Sequence, residues 1–202
     1  MPAQPASLQP AVATYWSAAE KVLRILMRLS ALALGLPADF FTPYFAAPKC
    51  NLRLAYYPEL SASDTPSLPA GAIRYGAHTD YTGFTILYPD PVVGGLQVQQ
   101  PSGEWEQVDA VPGALFVNAG DLISVWTNER WRSPPHRVVN PPEPLPGEKA
   151  PARLSMVFFT GPADDTVVEA LPGCHGPGRP KRFSPISARE HLMAKLAATS
   201  TK

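Results

Sequence analysis

A histidine and an aspartate stand two residues apart in "GAHTDYTGF", residues 76–84. If the stretch is extended, His78 and Asp80 point to the same face and can present an imidazole and a carboxylate side by side. Alone, such a pair has structural roles more often than chemical ones. A third donor changes its weight, and His136 in "WRSPPHRVVN" is the candidate, at the start of another apolar alternation. Two histidines and one carboxylate from two strands form a three-donor set on one side of an ion. An octahedral cation held this way keeps three adjacent positions open, the arrangement of non-haem Fe(II) centres that handle oxygen. Zinc accepts the same donors tetrahedrally with one open position, so the three ligands alone do not separate the two metals.

Arg153 and Ser155 in "ARLSMVFF" repeat the two-residue spacing. Arg153 lies among apolar residues, and a buried guanidinium needs an anionic partner. An arginine with a hydroxyl beside it is shaped to hold a carboxylate end-on. An internal acid (Glu104, Asp109 or Asp121) could instead supply a structural salt bridge.

These residues need a scaffold. Residues 13–34 predict a helix with Val22, Ile25, Leu26, Leu29, Leu32 and Ala33 recurring at three- and four-residue steps, ended by Gly35 and Pro37. "PADFFTPYF" (37–45) predicts a short second helix. From residue 50 the period is two: "CNLRLAYY", "GLQVQ", "EWEQV", "ALFVN" and "RLSMVFF" alternate, separated by turn signals. Many of the 25 prolines lie in connections such as "NPPEPLPGEKAP", where a missing backbone donor is tolerated. About eight short strands without long intervening helices imply an antiparallel sandwich or barrel and argue against a parallel sheet. "SAREHLMAKLAAT" predicts a final helix opened by a capping box of Ser187 and Glu190, with His191 as a solvated surface histidine.

The 202 residues fit one domain, large enough to fold without disulfide staples. Seventeen basic residues balance seventeen acidic ones, which argues against nucleic acid or an anionic membrane as partner. Cys50 and Cys174 fit a reducing compartment better than a disulfide framework. The most apolar stretch, 22–34, is interrupted by Arg24 and Arg28, and the N-terminus lacks the pattern of a secretory signal. A cytoplasmic location and no membrane span are expected.

The order "AHTDYTGFTIL", "GGLQVQQPSGEW", "PGALFVNAGD", "TNERWRSPPHRVVNP" and "RLSMVFF" closely resembles the C-terminal half of the isopenicillin N synthase-like Fe(II)/2-oxoglutarate-dependent oxygenases, over about residues 13–199. The resemblance implies a mainly β fold: a double-stranded β-helix (jelly-roll, cupin-like) core over 49–161, a helical lead-in over 1–48, and a C-terminal tail and helix over 162–202. It implies that His78, Asp80 and His136 hold Fe(II). It also implies that Arg153 and Ser155 grip the distal carboxylate of 2-oxoglutarate, and that Tyr57 in "AYYP" hydrogen-bonds this co-substrate. Phe158, on the strand of Arg153, is expected to pack against substrate. The implied reaction couples decarboxylation of 2-oxoglutarate by O2, giving succinate and CO2, to hydroxylation or desaturation of a small organic molecule. Ascorbate is expected only as an auxiliary reductant, and the protein is expected to be a monomer. Two alternatives stand beside this: an iron oxidase of the same family that needs no 2-oxoglutarate, and a truncated, inactive binding module.

The sequence departs from the family's pattern in three ways. Ala55 stands where asparagine is common, the loop between His136 and Arg153 is long and Pro-rich, and the family's N-terminal region precedes the point where this chain begins.

Overall fold

In a computed structural model, residues 5–61, 73–90, 93–140 and 149–200 are described. In chain order the elements are α1 (Leu8–Ala33), β1 (Asn51–Tyr57), β2 (Leu60–Ser61), β3 (Ile73–His78), β4 (Phe84–Tyr88), β5 (Leu96–Gln99), β6 (Trp105–Gln107) and β7 (Phe116–Ala119). They continue with α2 (Asp121–Trp126), β8 (His136–Val139), β9 (Lys149–Ala150), β10 (Arg153–Phe159), β11 (Val167–Val168), β12 (Ile186–Ser187) and α3 (Ala188–Ser200). The period-two segments become two facing four-stranded antiparallel sheets, ordered β1-β10-β4-β7 and β3-β8-β5-β6. This is the double-stranded β-helix. Apart from the β5–β6 hairpin, successive strands of these two sheets alternate between them, so residues distant along the chain meet in the space between.

Two-residue alternation sorts each strand of the first sheet into an inner and an outer face. On β10, Arg153, Ser155, Val157 and Phe159 line the inner cavity. Phe158 points the other way and is fully buried. It pairs with Leu52 on one side and Ile86 on the other, and its ring meets Trp16 of α1 edge-on at 5.0 Å. Burying one such side chain stabilises the fold by about 1.5–3 kcal/mol, so Phe158 helps to fasten α1 to the sheet. The expectation that it packs against substrate is therefore incorrect. Counting two residues from Ser155 and two again leads to Phe159.

Helix α1 begins earlier than its apolar pattern suggests and buries a different stripe. Ala19, Leu23, Met27, Ser30 and Ala31 face the sheet, while Ile25, Leu29 and Leu32 are more than half exposed. The helix has apolar residues on two stripes, and periodicity alone does not rank them. Its end follows the expected chemistry: Gly35 takes φ +74°, and the Leu36 amide bonds back to the Ala31 carbonyl at 2.9 Å, a left-handed glycine stop. Residues 37–45 do not form a helix. Pro37 and Pro43 lack amide donors, and the segment is a run of turns closed by bonds such as Phe40 N to Pro37 O. These turns seat Phe41 and Tyr44 against Trp126 of α2, at ring separations of 5.4 and 5.7 Å.

The end of α2 fixes the C-terminal tail. Asn128 is fully buried and has a left-handed backbone, φ +50°. Its side-chain amide donates to the carbonyls of Cys174 and Pro180, and its Oδ1 accepts from the Arg182 amide. The capping box forms as expected: Ser187 Oγ accepts from the Glu190 amide, and the Glu190 carboxylate accepts from the Ser187 amide and hydroxyl. His191 is not a free surface histidine. It lies half-buried on α3, bonded to the Tyr81 backbone and facing Asp121, and burial lowers its pKa. Among the described residues no helix is long and apolar enough to cross a membrane.

Candidate metal centre

His78 ends β3 and His136 starts β8, and the two are directly opposed across that antiparallel pair. Their ring centroids are 4.2 Å apart. Asp80 follows in the loop toward β4. One donor atom from each of the three residues lies within 4.8 Å of the others. The Asp80 Oδ1 is 3.9 Å from His78 Nε2 and 3.7 Å from His136 Nε2. Both separations are too long for hydrogen bonds, yet a single cation with bonds of about 2.0–2.2 Å could bridge them.

The histidine tautomers support this reading. His78 Nδ1 lies 2.8 Å from the Gly76 carbonyl, and His136 Nδ1 lies 3.2 Å from the Pro134 carbonyl. A carbonyl only accepts, so each Nδ1 carries the hydrogen, and each Nε2 offers its lone pair to the shared space. Burial, and then the neighbouring His136, hold the His78 pKa below the usual imidazole value, favouring the neutral form a metal requires.

Asp80 is held just as firmly. It is 4% exposed. Its Oδ2 accepts from Thr85 Oγ1 at 2.6 Å and from Asn118 Nδ2 at 2.7 Å, which leaves Oδ1 toward the histidines. The loop that carries it is fixed through its backbone. The Gly83 amide donates to the Thr160 carbonyl, the Gly120 amide to the Gly83 carbonyl, and the Asp121 amide to the Asp80 carbonyl. A Cβ at Gly83 would lie 2.6 Å from the Thr160 oxygen, and one at Gly120 would lie 2.5 Å from two carbonyl oxygens. Only glycine permits that approach. Thr85 and Asn118 were not visible as site residues in the sequence. They sit on separate strands, inside the stretches "AHTDYTGFTIL" and "PGALFVNAGD", but nothing in their spacing ties either to Asp80.

All three donors line a cavity of about 510 Å³ between the sheets, and so do Tyr57, Arg153 and Ser155. Arg153 is 2% exposed. Its Nε and one terminal nitrogen have no hydrogen-bond partner among the described residues. None of the three acids considered from sequence pairs with it. Asp121 binds Lys195 at 2.7 Å, and Glu104 bonds Ser102. The nearby acid charge comes from Asp90, while the Tyr57 hydroxyl hydrogen-bonds the guanidinium. Burial raises the Tyr57 pKa, so the phenol keeps its proton. Tyr57 opposes Arg153 in register, and Ala55 opposes Ser155. The position where the family commonly has asparagine thus faces the cavity with only a methyl group. An unsatisfied buried guanidinium is costly by itself. With a hydroxyl beside it in a pocket, it fits the far carboxylate of a dicarboxylate ligand. The donor set likewise fits Fe(II).

A family model described as the 2OG-Fe(II) oxygenase superfamily matches residues 48–162. The chain is 36% identical to the 2-oxoglutarate-dependent dioxygenase frbA of Dothideomycetidae sp., covering 86% of this chain and 52% of that one. It is 34% identical to a homoarginine-6-hydroxylase of Glycine max, covering 84% and 50%. A full-length Neurospora crassa protein, solved in complex with alpha-KG and thymine, superposes with a TM-score of 0.86 at 31% identity, covering 95% and 56%. The chain therefore spans about half the length of these similar proteins.

Proposed function

The chain belongs to the 2OG-Fe(II) oxygenase superfamily, and on that premise we propose that it is an Fe(II)- and 2-oxoglutarate-dependent dioxygenase that hydroxylates or desaturates a small organic molecule. The observation that carries this reading is the unsatisfied, buried guanidinium of Arg153 in the same cavity as the three facing donors of His78, Asp80 and His136. A structural salt bridge would have given that arginine an internal carboxylate, and among the described residues none bonds its Nε or its free terminal nitrogen.

Bound together, Fe(II), 2-oxoglutarate and O2 supply the oxidant for an unactivated C–H bond, with succinate and CO2 as co-products. The protein's own contribution is positional. His78 and His136 would hold the metal through Nε2, their rings fixed by Gly76 and Pro134. Asp80 would hold it through Oδ1, its other oxygen tied to Thr85 and Asn118. Arg153 and Ser155 would take the distal carboxylate, with the Tyr57 phenol fixing the guanidinium. Leu87, Val98, Val138 and Val157 line the cavity and keep water away from the reacting carbon. No side chain is assigned a proton-transfer role. The reading also includes a reducing, cytoplasmic setting and no nucleic-acid partner. The two free cysteines and the balanced charge support it.

The test is anaerobic addition of 2-oxoglutarate to the Fe(II)-loaded protein. A new visible charge-transfer band that disappears in Arg153→Met is the expected result. Absence of the band in the unsubstituted protein would instead indicate an oxidase independent of 2-oxoglutarate, or a binding module.

A further inference from the structure

The same cavity holds a second guanidinium at its open end. Arg53 lies on β1 on the same face as Tyr57, four residues away, and opposes Val157 where Tyr57 opposes Arg153. The two arginines are thus separated along the strands by about 13 Å. Arg53 is exposed, and two aromatic rings frame it. Its guanidinium carbon lies 5.7 Å from the ring centroid of Tyr75 and 5.7 Å from that of Phe159. Its Nη1 donates to the Tyr75 hydroxyl at 2.9 Å. No carboxylate pairs with it among the described residues. The contacts orient the guanidinium while leaving most of its five N–H donors available. Tyr75 in turn meets the His78 ring edge-on at 4.7 Å, so the framed arginine borders the metal ligands.

The charges of the cavity wall point the same way. Its ionised side chains are Arg53, Arg132, Arg153 and Asp80, three cations against one anion. Asp80 serves the metal, and the co-substrate's far carboxylate satisfies Arg153. The two exposed cations, Arg53 and Arg132, have no carboxylate partner among the described residues, and Leu87, Val98, Val138 and Val157 supply aliphatic lining to the same cavity.

We propose that Arg53, held by Tyr75 and Phe159, is the specificity-determining contact for substrate, and that the substrate carries a carboxylate or similarly compact anion on an apolar or planar body. The inference rests on the oxygenase reading for the identity of the reacting centre. The anion goes to the guanidinium, the body lies against the rings and the aliphatic wall, and a C–H bond near the anionic end comes beside the metal. A neutral analogue would leave the arginine without its charge-matched partner and bind more weakly.

The test uses the Fe(II)-loaded protein with 2-oxoglutarate under nitrogen and three carboxylates, benzoate, phenylacetate and indole-3-acetate, each beside its primary amide. Ligand-observed NMR gives the affinities. The expected result is at least a tenfold preference for one or more acids over the matching amide. The preference should collapse to within twofold in Arg53→Gln and recover partly in Arg53→Lys. Tyr75→Phe, which removes the tether but not the charge, should keep a smaller preference. No acid binding, no acid preference, or a preference unchanged in Arg53→Gln would overturn the proposal. It would also be overturned if Arg53→Gln weakened 2-oxoglutarate binding as much as Arg153→Met does, because Arg53 would then serve the co-substrate. Failure of the oxygenase reading shows separately, as an unsubstituted protein that gives no charge-transfer band with 2-oxoglutarate.

Discussion

The two ends of the cavity differ in how completely the protein settles them. At the buried end, Asp80 has two hydrogen bonds to one oxygen, both imidazoles are locked by carbonyls, and Arg153 is 2% exposed against Tyr57. At the mouth, Arg53 is exposed, Tyr75 is 39% exposed and Val117 is 44% exposed. On the proposed reading the buried end would serve ligands that do not vary, and rigidity there would lower the cost of placing metal and co-substrate. The mouth holds its cation by ring contacts and one hydrogen bond, with Tyr75 the link between that cation and His78.

The contrast can be broken by substitutions at either end. The largest effect is expected from Asp80→Ala, which removes a metal donor. Turnover of 2-oxoglutarate to succinate should fall by roughly a hundredfold or more, with circular dichroism unchanged. Arg153→Met comes next and moves two measurements in opposite directions. The dissociation constant for 2-oxoglutarate should rise by about 10- to 150-fold, the worth of charged hydrogen bonds at about 1.5–3 kcal/mol. The melting temperature of the ligand-free protein should hold or rise, because an unsatisfied buried charge is replaced by an apolar chain. A clear drop in melting temperature would show that Arg153 already has its partner within the fold. Thr85→Val keeps the shape and removes one bond to Asp80, so Fe(II) affinity should fall by about 10- to 100-fold; equal affinity in a metal titration would show the carboxylate to be oriented without it.

A pair of neighbouring substitutions sharpens the comparison by stability alone. Phe158→Ala should cost about 3–5 kcal/mol in chemical denaturation, as for a core phenylalanine, and Phe159→Ala distinctly less. The smallest effect concerns His191. Burial holds its pKa below 6.5, so the unfolded chain takes up the extra proton as pH falls through that value. Stability should then decline on acidification until the folded-state pKa is passed. His191→Gln should show a shallower decline in melting temperature between about pH 7.5 and about pH 5.5.

The candidate donors could be named from the sequence through residue type and, for the set as a whole, through the family resemblance, because His136 stands far along the chain from Asp80. His78 and Asp80 share a short stretch, and Arg153 and Ser155 repeat the same step. Strand content was legible through alternation. What was not legible depends on three-dimensional choice. Thr85 and Asn118 look like ordinary strand polars until β4 and β7 pair and bring both to Asp80. Phe158 and Phe159 are adjacent aromatics, and only the face of β10 that meets α1 tells them apart. Helix α1 could have buried either of two stripes. His191 on the last helix looked solvated until α3 docked against Asp121 through Lys195.

On the proposed reading, the pairing of His78 with His136 across β3 and β8 would make metal uptake a proofreader of the fold. A slip of one residue between those strands would turn one imidazole to the opposite surface and leave the ion with two donors. Chains that hold the ion through all three donors would then be chains whose second sheet has zipped in the correct alignment.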